Sequence, residues 1–279
     1  MWKLCVGLPA ASSLESSVSD QLRKLTHLAW RFAGDSKQLN TESIRDALDA
    51  FSVETEKSSS VDVAVVPEIA AQIYGFVVST SFDKNAANNY LMVDVGAGTV
   101  DSSLFHVKPG RGGKWDFEFY TAAVEPLGVT NLHRHRVNWW ADALRKSDAP
   151  TNLIQELLSS KFESDLKSPL PENFENYFDG IDVRLHGEAL NPDKDFFKAQ
   201  VVTQVRGKTV WRTWKNNLLP QQALTKIPFF LCGGGSRMKY YLALEDELKP
   251  QSGFGWLQAE AWTLGVPGDL MADDLSFHF

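Results

Sequence analysis

The chain has little cysteine, no excess of positive charge and no long apolar run, and each shortage removes a class of function. Cys5 and Cys232 are its only cysteines. They are too few and too far apart for a disulfide framework or a metal-ligand spacing. Each lies in an apolar run, which predicts two buried free thiols and reducing, cytoplasmic surroundings. Lys and Arg number 28 against 35 Asp and Glu, and the net charge is −7 with no Lys/Arg block. That balance argues against a nucleic-acid partner. No apolar stretch approaches the ~20 residues of a membrane span, and residues 1–9 show no basic leader or cleavage pattern. The patterns G-x-x-x-x-G-K-[ST], H-E-x-x-H and C-x-x-C do not occur, which sets aside P-loop, zincin and thioredoxin-like chemistry.

What is present is core-forming. Of 279 residues 43% are hydrophobic, with 17 Phe and 9 Trp, enough for one large domain or two ordinary ones. Trp2 to Leu8 reads as a strand buried on both faces, ended by Pro9. Ser12 and Glu15 form a capping box for a helix running to about Phe32, where Gly34 stops it. Asn40 or Thr41 caps a second helix carrying Ile44, Leu48 and Phe51. Residues 61–66 form a second strand, and Pro67 opens a helix continued by Glu68. This order predicts α/β structure with parallel strands.

A hairpin over 90–107 follows, then a basic glycine turn at 108–114 and an antiparallel strand over 115–122. Gly128 precedes a helix through Trp140 and Leu144. Residues 145–226 are the least readable. Leu153, Leu157 and Leu158 suggest a helix there, and Val201 to Trp214 suggests a hairpin turning at Arg206-Gly207-Lys208. Residues 227–232 form a buried strand. Gly233-Gly234-Gly235 turns it into a helix from about Arg237 to Leu248, and the tail after Pro250 has no pattern.

The chemistry concentrates in three places. In Asp94-Val95-Gly96-Ala97-Gly98-Thr99-Val100-Asp101 an apolar strand stops at a carboxylate, passes two glycines and a threonine, and resumes after a second carboxylate. Glycines let backbone approach a bulky anion. The amides and the Thr99 hydroxyl can donate to phosphate oxygens, and Asp94 and Asp101 can hold a metal ion or its waters. Gly233-Gly234-Gly235-Ser236-Arg237 joins a strand to a helix start, where a flat ring or a phosphate can lie on bare backbone. Glu68 sits in the first turn of a helix just after a strand. There it interacts with the helix dipole or, at a sheet's C-terminal edge, orients an attacking water. His133 and His135 point to different faces of their helix and read as a solvated pair flanked by Arg134 and Arg136.

In this order the three segments resemble the actin, sugar-kinase and heat-shock-chaperone ATPase superfamily, most closely the heat-shock chaperones of the DnaK type. Their second phosphate loop reads D-x-G-G-G-T-x-D, similar to Asp94 to Asp101 with Ala97 at the middle glycine. Their connecting helix opens with Pro-Glu or Glu-Pro and small residues, as Pro67-Glu68-Ile69-Ala70-Ala71 does. Their adenosine loop, G-G-x-[ST]-R, is similar to Gly233 to Arg237, and Leu127-Gly128 resembles the Leu-Gly after the hairpin. The likeness covers residues 1–140 and 227–248.

The resemblance implies an actin-like (ribonuclease H-like) α/β fold, with a partial first lobe over 1–88. A more complete second lobe over 89–279 would carry an inserted subdomain at about 145–226. It implies ATP or ADP with Mg²⁺ as cofactors. Asp94 and Asp101 would organise Mg²⁺ through waters, and Gly96, Gly98 and Thr99 would contact the β- and γ-phosphates. Glu68 would orient water, and Gly234, Gly235, Ser236 and Arg237 would face the adenosine. That family's first phosphate loop and its lysine have no counterpart in the chain, and neither have the adenine clamp, the closing helix and the peptide-binding domain. The expectation is therefore a truncated relative that binds ATP without useful hydrolysis, since losing one pre-organised group costs ~10²–10³ in rate. The alternative is a non-catalytic scaffold or regulatory protein. A sugar or acetate kinase relative would need an acceptor-side Asp that is not evident. The strand from Lys3 to Leu8 would then be an open apolar edge, suited to self-association or a protein partner.

Overall fold

The computed structural model describes residues 2–8, 16–34, 40–51, 60–161, 170–178, 183, 185, 191–248 and 258–261. It is a mixed α/β structure with two open sheets. The described residues divide into two compact units, one up to Phe82 and one from Asp83 onward.

The first unit holds β1 (Trp2–Leu8), α1 (Ser16–Ala33), α2 (Thr41–Asp49), β2 (Val61–Pro67) and α3 (Glu68–Val77). β1 and β2 pair in parallel, Trp2 opposite Val61 through Leu8 opposite Pro67. Paired side chains share a face. Trp2, Leu4, Val6 and Leu8 therefore lie with Val61, Val63 and Val65, and Lys3, Cys5 and Gly7 lie with Asp62, Ala64 and Val66. Val61 and Val63 are buried, whereas Lys3, Cys5, Gly7, Asp62 and Ala64 are exposed. This corrects the expectation of a strand buried on both faces, and with it that of a buried Cys5. A two-stranded sheet with helical cover on one side alternates rather than burying every residue. Asn40 caps α2, its Oδ1 accepting from Ser43 N–H (2.8 Å) while Ser43 Oγ accepts from Asn40 N–H (3.2 Å). The capping box at Ser12 and Glu15 lies outside the described residues.

The second unit is built on a five-stranded sheet of order β5-β4-β3-β6-β7. Its strands are β3 (Asn89–Val95), β4 (Val100–Pro109), β5 (Trp115–Glu125), β6 (Thr225–Cys232) and β7 (Gln258–Ala261). β3 to β5 are an antiparallel meander, and β6 joins β3 in parallel. Central β3 is a continuous apolar run in which Leu91, Met92 and Val93 are inaccessible. That pattern belongs to a strand covered on both faces. α4 (Val129–Lys146) and α5 (Thr151–Ser160) follow the meander. β7, in the stretch without a readable pattern, pairs with β6.

The expected hairpin over 201–214 is instead helical. The run over 192–215 is α-helical at Pro192–Asp195 and Arg212–Lys215 and π-helical over Phe196–Val202 and Gln204–Trp211. Phe196, Phe197, Val201, Val202, Val205 and Val210 enter the core with Leu91, Val93 and Leu104. Its polar residues reach the strands. Thr209 Oγ1 bonds Ser102 Oγ (2.6 Å), Thr213 Oγ1 bonds Thr121 Oγ1 (2.6 Å), and Gln204 Nε2 donates to the Val100 carbonyl (2.6 Å). Burial and these bonds outweigh the strand propensity of Val and Thr.

The His133 region is also corrected. His133 and Arg136 are buried, not solvated. His133 contacts Tyr177 Oη (2.6 Å) and the Ser160 carbonyl (3.0 Å). Arg136 holds Asp193 through Nε (2.6 Å) and Nη2 (2.8 Å), and donates to the carbonyls of Pro171 (2.6 Å) and Glu172 (2.9 Å). Burial pushes the Tyr177 hydroxyl up to about 12.

Candidate functional site

The C-terminal edge of the central strands brings two of the three singled-out segments together. Asp94, near the end of β3, is opposite Asp101 in the antiparallel β3–β4 register and opposite Cys232 in the parallel β3–β6 register. The turn over 96–99 and the glycine corner after Cys232 therefore leave the sheet side by side. Gly233 has φ +83° and ψ 161°, a region L side chains rarely enter. A β-carbon there would also collide with Asp94 Oδ1 and Val95 O. Gly235 is also closely packed, its β-carbon position 2.6 Å from both Val95 Cγ1 and Val129 Cγ2. Gly234 has nothing within 4 Å and opens to solvent.

The start of α4 backs the turn. Gly128 N–H donates to Gly98 O (3.2 Å), Val129 N–H to Gly96 O (3.2 Å) and Thr130 N–H to Ala97 O (2.8 Å). Asn131 Nδ2 adds a bond to Gly98 O (2.5 Å). Gly96 N–H closes the turn onto Thr99 O (2.9 Å). In a trans peptide the carbonyl of one residue and the N–H of the next point oppositely. With the carbonyls of Gly96, Ala97 and Gly98 held by α4, the N–H groups of Ala97, Gly98 and Thr99 turn away from it. All three residues are exposed. Gly128 must be small for this packing, since its β-carbon would lie 2.6 Å from Gly96 O and Thr99 N and 2.7 Å from Ala97 O.

Around this edge Asp101 is buried and Asp94 half-buried. Burial, with the Asp94 charge adding to it, pushes the Cys232 thiol up to about 12, so that it stays protonated. Ser236 turns its hydroxyl back onto the Gly233 carbonyl (2.7 Å), while Arg237 is exposed. Glu68 belongs to the first unit and opens α3 directly after β2. Gly7 leaves it room, because a β-carbon at Gly7 would lie 2.7 Å from Glu68 Cγ. Among the described residues no three His, Cys, Asp or Glu gather into a metal-binding group, and no helix is long and apolar enough to cross a membrane.

Sequence reasoning passed over Gly233, Gly128 and Asn131 as site residues. The signal for the last two was a Leu-Gly pair followed three residues later by a polar side chain at a helix start.

No family model matches the chain. It is similar to the Chaperone protein dnaK1 of Prochlorococcus marinus subsp. pastoris, 29% identical over 139 residues. The matched stretch is 46% of this chain and only 19% of that chaperone, a distant and partial similarity.

Proposed function

We infer that the chain carries a nucleotide-binding module of heat-shock-chaperone ancestry, built on an actin-like fold, that binds ATP or ADP with Mg²⁺. The observation that carries the reading is the meeting of Asp94 with Gly233. It sets the glycine-threonine turn beside the glycine corner at one sheet edge, as a ligand with a polyphosphate tail and a nucleoside head requires. The outward amides of Ala97, Gly98 and Thr99 and the bare backbone at Gly98 and Gly234 fit such a ligand. Two carboxylates suit a cation that keeps most of its waters, as Mg²⁺ does.

In this reading Gly96, Gly98 and Thr99 bind the β- and γ-phosphates, and Asp94 and Asp101 hold Mg²⁺ through water. The ion supplies neutralisation of phosphate charge. Gly234, Gly235, Ser236 and Arg237 take the adenosine side, and Glu68 is the group proposed to orient a water. Nucleotide binding is the activity we propose.

Titration calorimetry with Mg-ATP tests this. Heat that saturates, and that weakens at least tenfold in Asp94→Ala and Thr99→Ala, supports the reading. No heat at millimolar nucleotide, with or without Mg²⁺, overturns it.

A non-catalytic scaffold role is the second reading. What favours it is that β1 has a strand neighbour on one side only among the described residues.

A further inference from the structure

Every carbonyl from Gly96 to Val100 has a donor. Those of Gly96, Ala97 and Gly98 accept from the N–H groups of Val129, Thr130 and Gly128, and Thr99 O accepts from Gly96 N–H. The last, Val100 O, accepts from Gln204 Nε2 (2.6 Å), a side chain of the helical run over 192–215.

Gln204 reaches that carbonyl from the core. It is 1% exposed, and Val201 and Val205 beside it are inaccessible. Its Nε2 also donates to the Ala123 carbonyl of β5 (3.1 Å) and lies 3.4 Å from Ser102 Oγ. Carbonyls only accept, so the amide nitrogen is the end that faces them. The other end, Oε1, is buried and has no hydrogen-bond partner among the described residues. An aliphatic side chain here would avoid that unpaired oxygen, which is costly in a dry core. What glutamine supplies and leucine cannot is a donor to two carbonyls on neighbouring strands.

From this we propose that Gln204 is a positioning residue of the candidate nucleotide site. By holding the Val100 carbonyl it aims Thr99 and Asp101, which flank Val100, and it does not itself touch the ligand. This role rests on the nucleotide-binding reading, because Thr99 and Asp101 are the groups that reading assigns to phosphate and to Mg²⁺.

The link runs through one peptide plane. In a trans peptide the N–H of Asp101 points opposite to the Val100 carbonyl. A bond that fixes the carbonyl therefore fixes the peptide from which Asp101 starts. Asp101 in turn is opposite Asp94 in the β3–β4 register. Gln204 also spans β4 and β5, since Ala123 is opposite Ser102. Strand pairing fixes the register of β4. The Gln204 bonds add a fixed distance between its first residue and the core, and binding groups need such support to within about 0.5 Å.

Two variants of the full chain separate this role from general support by the helical run. Gln204→Met keeps the length and bulk of the side chain and removes the donor. Thr213→Val removes the bond from the same run to Thr121 Oγ1 (2.6 Å), and Thr121 is opposite Leu104, further along β4 from the turn. Hydrogen exchange without nucleotide reads the turn through the amides of Gly96, Val129 and Thr130, which are spent on its carbonyls. Gln204→Met should speed their exchange at least about fivefold, and Thr213→Val should leave it within about twofold. Calorimetry should show Mg-ATP affinity at least about fivefold weaker in Gln204→Met and within about twofold of the original in Thr213→Val. If Gln204→Met does not fold, Gln204→Asn, one methylene too short to span both carbonyls, should give the same pattern. Unchanged exchange at the turn in Gln204→Met overturns the proposal whether or not nucleotide binds. So does loosening of equal size in both variants, or faster exchange with Mg-ATP affinity unchanged. An unaltered chain that binds no Mg-ATP overturns the nucleotide-binding reading and this role with it, whereas a failure confined to the comparison of variants overturns this role alone.

Discussion

Asp94 Oδ1 occupies the place where Gly233 would carry a β-carbon. One aspartate and one glycine, far apart in sequence, thereby fix the separation of the two loops at this sheet edge. Replacing Gly233 by Ala meets a double penalty. The φ of +83° costs about 1–3 kcal/mol on its own, and the collision with Asp94 and Val95 adds overpacking. Gly233→Ala should lower the urea midpoint clearly. Gly234→Ala, with nothing within 4 Å, should change stability by less than ~0.5 kcal/mol yet weaken Mg-ATP binding. A Gly234→Ala chain that binds nucleotide as before would remove this glycine from the ligand surface.

The edge was legible in sequence because its signals are local. An apolar run ending at Asp94, glycines within the turn and an apolar run resuming after Asp101 describe strand, turn and strand without reference to anything else. The helical run over 192–215 was not legible, for the opposite reason. Val201, Val202, Val205, Thr209 and Val210 flank Arg206-Gly207-Lys208 as two strands flank a turn. Only partners distant in sequence, Ser102, Thr121 and Val100, supply the bonds that make a helix better there. Cys5 misled for a related reason, since an apolar run does not reveal how many strands its sheet will have.

Arg136 carries the largest predicted loss of stability. Its side chain is 1% exposed and is held by Asp193 and two carbonyls. Breaking a buried pair by removing one partner typically costs 3–5 kcal/mol, because the other charge stays buried and uncompensated. Arg136→Met should show a loss of about that size by urea denaturation, with Phe174–Phe178 loosened because Asp193 also accepts from Phe174 N–H (3.2 Å). A cost under ~1 kcal/mol would mean that Asp193 is rescued by water.

Alkaline pH should destabilise the fold in a defined window. Burial pushes Tyr90 and Tyr177 up to about 12 from 10.0, and Cys232 up to about 12 from 9.0. The unfolded chain gives up these protons first, so the folded state binds more of them and stability falls as pH rises. The contribution is complete below pH about 9 and is lost between about 9 and 12. Urea midpoints should hold up to the lower limit and then drop. Cys232→Ser should flatten the first part of the fall, between about pH 9 and 10, where the thiol of the unfolded chain titrates ahead of its tyrosines. An unchanged slope there would mean that Cys232 is as accessible in the folded state as in the unfolded one.

Gly128 provides a way to disturb the turn from the side of α4. Its φ of −69° is open to any residue, so Gly128→Ala carries no backbone penalty and isolates the contact with Gly96 O, Thr99 N and Ala97 O. None of these is a flexible side-chain end, so the turn must move as a unit or α4 must recede. The expected cost is about 1–3 kcal/mol, as for other overpacked sites. Mg-ATP affinity should fall with it, because the amides of Ala97, Gly98 and Thr99 are aimed by the bonds that α4 makes to the opposite side of the turn. Asn131→Ala removes one of those bonds and adds no atoms, so it should lower nucleotide affinity with a stability loss of only about 1 kcal/mol. If both variants bind Mg-ATP as the unaltered chain does, the orientation of the turn by α4 has no part in holding phosphate.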